Sequence, residues 1–118
     1  MDADAAALLR DLLAKARIAH LATLRQGAPM ASMTLFLAAP GFLAFHVHVS
    51  RLAWHTQDMA ADPRVALSIA QADDGRADPF TLMRVTIRGE ARQLPNESAD
   101  FGSLRAAWLA RFPEQAIN

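Results

Sequence analysis

Between Val49 and Arg64 the chain clusters two hydroxyls, a guanidinium and an imidazole where a helix should begin, at Ser50, Arg51, His55 and Thr56. A helix start presents unpaired backbone N–H groups and the positive end of the helix dipole. Those residue types at that spot form a seat for a phosphate. Read singly, Ser50 serves as an N-cap, Arg51 as a solvated surface residue and His55 as a packed side chain. Both readings stand on this run alone.

Charge segregation bears on the choice. No Asp or Glu stands between Asp11 and Asp58, whereas Lys15, Arg17, Arg25, Arg51 and all four histidines fall in that interval. The whole chain balances 12 basic against 12 acidic residues, so the interval reflects segregation and not net charge. An acid-free stretch leaves a local positive potential, although strands are depleted in Asp and Glu in any case. Apart from Lys15 every basic residue is arginine, which suits bidentate phosphate contacts.

Other chemistries find less support. His46 and His48 put two imidazoles on one strand face, a spacing metals use. A third ligand would have to come from His20 or His55, with no carboxylate near in sequence, so no metal site is expected. Nucleophile elbows, phosphate-binding glycine loops and dinucleotide fingerprints are absent, and no catalytic residue is assigned. A bound cofactor would carry any reaction. With no cysteine there are no disulfides or thiolates. The start, Met1-Asp2-Ala3-Asp4, lacks a basic signal region. The expectation is a cytoplasmic protein binding neither membrane nor nucleic acid.

The elements that must position the seat read mainly as strands. At 118 residues the chain is one domain, 1–118. Residues Asp4–Ala16 predict a helix with Leu8, Leu9, Leu12, Leu13 and Ala16 on one face. Five strands are expected near Ile18–Leu24, Met30–Ala38, Phe42–Val49, Arg64–Gln71 and Leu82–Leu94. In the second, Ala31, Met33, Leu35 and Leu37 would face the core, with Ser32 and Thr34 turned away. In the third, Leu43, Phe45, Val47 and Val49 would oppose His46 and His48. Val65, Leu67 and Ile69, then Met83, Val85 and Ile87, give the same alternation. A helix over Leu52–Ala61 stops near Pro63, and a last helix over Glu97–Phe112 carries Phe101, Leu104, Trp108 and Phe112 on one stripe. The fold class is α+β: mainly antiparallel β, a barrel or sandwich, with flanking helices. Such a barrel calls for a further C-terminal strand or a partner to complete its sheet.

Several stretches, taken in order, resemble the pyridoxamine 5'-phosphate oxidase-like FMN-binding split barrels, in particular the branch with haem-utilisation proteins. They are Ala22-Thr23-Leu24 with Gly27-Ala28-Pro29 and Ser32, the run Ser50 to Thr56, Asp62-Pro63-Arg64-Val65, and Arg84 to Gly89. The resemblance implies a six-stranded split β-barrel, a homodimer with FMN between subunits, and oxidoreductase activity. It equally admits a non-catalytic flavin- or haem-binding protein for storage, sensing or haem utilisation. By position it implies Ser32, Ser50, Arg51, His55 and Thr56 at the FMN phosphate, Met33 and Thr34 along the flavin, and His48 on the strand leading in. The oxidase proper has a lysine where this chain has Leu52. The related run often has Asn in place of Asp58, so a negative charge is expected near the phosphate.

Overall fold

The computed structural model describes residues 2–50 and 52–117; Arg51 lies outside them. Helix α1, Ala3–Lys15, starts because the Asp2 carboxylate accepts the Ala5 N–H at 2.7 Å. It buries Leu12 and Leu13, while Leu8 of the expected apolar face stays half exposed. Strands β1, Ile18–Arg25, and β2, Ala28–Leu35, form a hairpin. Its turn has positive φ at Gln26 (51°) and Gly27 (81°), the two-residue geometry that matches strand twist and favours glycine second.

The expected faces of β2 are reversed. Thr34 is buried and Ser32 half-buried, while Met33 is 61% exposed. Phe36 sets the parity: it is fully buried between β2 and the short β3, Leu37–Ala38. That ring is among the largest side chains fully buried here, and the strand's parity follows it. The expected strand Phe42–Val49 shrinks to β4, Phe45–His46, paired with β3. The chain first spends Pro40–Phe42 on a 3-10 turn with φ +72° at Gly41 and leaves Leu43 almost fully exposed. Leu43 therefore does not share a buried face with Phe45.

Helix α2, Trp54–Ala61, begins two residues later than expected. It leads into β5, Arg64–Ala70, and after an acidic loop comes β6, Arg84–Glu90. These two strands keep the expected alternation, with Leu67 and Ile69 buried and Arg84, Thr86, Arg88 and Glu90 outward. The main sheet has the order β2-β1-β5-β6, and every strand pair among the described residues is antiparallel. The core joins Leu12 and Leu13 of α1 to Ala19, Leu21, Phe36, Leu67 and Ile69.

Helix α3, Phe101–Arg111, is shorter than the expected 97–112. Trp108 and Phe112 are buried and stack 4.9 Å apart. Arg111 donates to the carbonyls of Leu13, Ala14 and Ala16, which close α1. Among the described residues no helix is long and apolar enough to cross a membrane.

Candidate cofactor site

The chain reaches α2 through a turn closed by its own polar groups. Ser50 Oγ accepts the Leu52 N–H at 3.2 Å, and the Ser50 carbonyl accepts the Ala53 N–H at 3.3 Å. The Thr56 hydroxyl donates to that same carbonyl. Ser50 is thus the hinge of the turn and not the helix cap. The cap position belongs to Ala53, which has no side-chain oxygen to offer. Helix α1 differs, for Asp2 fills the same role there. No side chain among the described residues therefore caps α2, whose Thr56 N–H bonds the Ala53 carbonyl at 3.1 Å, and half-buried His55 and Thr56 stand in its first turn.

Asp58 does not threaten this seat. It is only 3% exposed and points at β1. Its Oδ1 accepts from Arg25 Nη1 at 2.8 Å, and its Oδ2 accepts from the Thr23 hydroxyl at 3.1 Å. The charge expected beside the phosphate is neutralised one turn into the helix. The Arg25 guanidinium also lies 4.3 Å over the ring of Trp54, the first residue of α2. Sequence reading missed this group. The signal was there: Thr23 and Arg25 share a strand face, and Trp54 and Asp58 share a helix face.

The other candidates separate. Ser32 and Thr34 lie on the inner face of β2, opposite Leu21 and Ala19 of β1, and the Thr34 hydroxyl donates to the Leu35 carbonyl at 3.1 Å. Met33 lies on the outer face opposite His20. His48 is exposed and meets the ring of Trp108 edge-on at 6.0 Å, toward α3. His46 sits in β4, half-buried. Among the described residues no three potential ligands converge on a metal position. Two surface hollows, about 330 Å³ by Phe80 and Arg84 and about 390 Å³ by Arg64 and Arg88, include none of the candidate residues. The seat is an open feature at the helix start.

A family model described as pyridoxamine 5'-phosphate oxidase matches residues 6–117. The chain belongs to that family. Its antiparallel sheet and three helices are those of the family's split barrel. The family typically binds flavin. A chloroplastic non-canonical heme oxygenase, HOZ, from Arabidopsis thaliana is 36% identical over 66 residues, which are 56% of this chain and 19% of that protein. The heme binding protein from Mycobacterium smegmatis is 32% identical, with a TM-score of 0.76, over 93% of this chain and 44% of its own. HutZ, the heme storage protein from Vibrio cholerae, shares the fold at 21% identity, with a TM-score of 0.79, over 90% of this chain and 74% of its own. The chain thus spans under half the length of the first two.

Proposed function

We propose that this chain binds FMN as an oxidoreductase of the family, with the phosphate at the start of α2. The observation that carries this reading is the uncapped first turn of α2, flanked by Ser50, His55 and Thr56 and freed of the Asp58 charge by Arg25. Backbone N–H groups and the helix dipole supply the anion site. Arg51, outside the described residues, adds the charge-assisted contact. Thr56 shapes the turn, because its proton is engaged on Ser50. By the family resemblance Ser32 joins the phosphate contacts, the backbone of Met33 and Thr34 runs along the ring system, and His48 lines its approach. Bound flavin would accept and donate electrons; the chain's part is to anchor and orient it.

A second copy completes the site in this reading. The outer face of β1 and β2 carries Ile18 at 47% exposure and Met33 at 61%, with Ala22 and Ala31 the next pair along the same face. An apolar sheet face of that kind is covered in a stable protein. We place the homodimer contact there. Sedimentation at micromolar concentration should give a dimer, and a monomer rejects it.

The visible spectrum tests the cofactor. Purified protein titrated with FMN should take up the flavin, and no uptake overturns the reading. The relatives named for heme favour a second reading, that the chain holds haem. Exposed His20, on the apolar outer face, is the imidazole it would offer. A Soret band on haem titration without flavin uptake would put that reading first.

A further inference from the structure

We propose that Arg25, Asp58 and Trp54 form a clamp that positions the first turn of α2 for its anion, an inference that rests on the phosphate reading above. Arg25 is the last residue of β1, at the rigid edge of the hairpin turn. Its guanidinium grips α2 at two points one helical turn apart. It donates to the Asp58 carboxylate at 2.8 Å and covers the Trp54 ring at 4.3 Å. Thr23, on the same strand face, holds the second carboxylate oxygen at 3.1 Å. The Trp54 and Asp58 contacts lie one turn apart on one face of α2, and together with Thr23 they hold that face against the end of β1.

The clamp matters because the other side-chain bonds at this helix start, from Ser50, Thr56 and Gln57, stay within the turn itself. Ala53 offers no cap, and Leu52 and Trp54 are 84% and 60% exposed. An anion held by backbone N–H groups needs those groups aimed, since hydrogen bonds weaken steeply off-axis. Arg25 and Asp58 touch the helix and not the anion; they are positioning residues. They also cancel one another's charge, so the positive potential at the seat comes from the N–H groups and the basic turn.

Riboflavin gives the discriminating measurement, because it is FMN without the phosphate. The ratio of riboflavin to FMN dissociation constants isolates the phosphate contact. In the wild type this ratio should exceed one by a wide margin. Arg25→Met should weaken FMN by about tenfold, the scale of a misaligned binding group, while riboflavin affinity stays nearly unchanged. Arg25→Lys keeps a cation beside Asp58 and should restore part of the ratio. Trp54→Leu removes only the stack and should lower the ratio less than Arg25→Met. If Arg25→Met does not fold, Asp58→Asn asks the same question with less disruption. A wild-type ratio of one overturns the phosphate reading and this inference with it. A high wild-type ratio that survives in the variants overturns the clamp alone. Equal weakening of both flavins shows a purely structural role and also overturns it.

Discussion

Two arginines fasten helices to the body of the molecule, with opposite kinds of partner. Arg25 holds α2 through a carboxylate, Asp58, that is almost fully buried. Arg111 holds α3 against α1 through the Leu13, Ala14 and Ala16 carbonyls, and no carboxylate pairs with it among the described residues. The first junction balances charge with charge. The second sets a cation against the negative end of a helix dipole. Burial pushes the Arg111 guanidinium below its ordinary pKa, and the nearby Arg17 adds to that. Its buried Nε has no partner among the described residues. A charge pair has a direction and can set the angle of a helix. A guanidinium on a row of carbonyls has several nearly equivalent settings. The first arrangement suits a helix whose start must be aimed, the second one that only needs to be packed.

The largest expected effect is at the charge pair. Asp58→Ala leaves a partly buried guanidinium and the Thr23 hydroxyl without their acceptor. Breaking a buried pair costs about 3–5 kcal/mol, and the low end applies because Arg25 still reaches water. Urea unfolding should show a loss of about 3 kcal/mol. A loss no larger than that of an exposed pair would erase the contrast between the junctions.

Arg111→Met should cost less, about 1.5–3 kcal/mol, the scale of hydrogen bonds to a charged group. The aliphatic stem remains to cover Phe36 and Phe112, whose rings lie 5.9 and 5.6 Å from the guanidinium carbon. The released end of α3 should expose Trp108, now 7% exposed, and shift its emission to the red. FMN affinity should stay unchanged. If it falls as far as in Arg25→Met, the two junctions do the same work and the comparison fails.

The same contrast explains what could be read from the sequence. Strands β5 and β6 were legible because arginines, Thr86 and Glu90 alternate with Val, Leu and Ile, so one face can only be wet. Strand β2 was not. Its odd and even positions both carry apolar residues, and the parity hangs on Phe36, beyond the strand's last residue. The helix after Ser50 was legible to within two residues of its start. Its wiring was not, because Asp58 finds Arg25 across 33 residues, and pairing at that range depends on how the sheet folds.

Thr23→Val sharpens the first junction further. The substitution keeps the shape and removes the hydroxyl that donates to Asp58 at 3.1 Å. A hydrogen bond to a charged group is worth about 1.5–3 kcal/mol, and the low end applies because Arg25 still neutralises the carboxylate, so unfolding should shift by about 1.5 kcal/mol. The riboflavin-to-FMN ratio should barely move, since Arg25 still grips both points of α2. A large fall in that ratio would assign the aiming to Thr23 in place of Arg25.

The smallest effect comes from an ion pair that fastens no helix. Asp74 and Arg76 sit in the exposed loop before β6, with Arg76 Nη2 2.8 Å from the carboxylate. Hydrogen bonding from Arg76 holds the Asp74 carboxyl down at about 2, against an ordinary 3.8. A depressed carboxylate favours the folded form above pH 3.8, and the benefit is lost as pH falls from there toward 2. Because the pair faces solvent, screening keeps the gain small, and the readout is local. The Arg76 amide, bonded to Asp74 Oδ1 at 3.2 Å, should titrate by NMR with a midpoint near 2 and lose that titration in Asp74→Asn. A midpoint at the ordinary 3.8 would mean the pair does not persist in solution. The charge pair at Arg25 would then owe its hold to burial, which Asp74 lacks, and not to the ion pair as such.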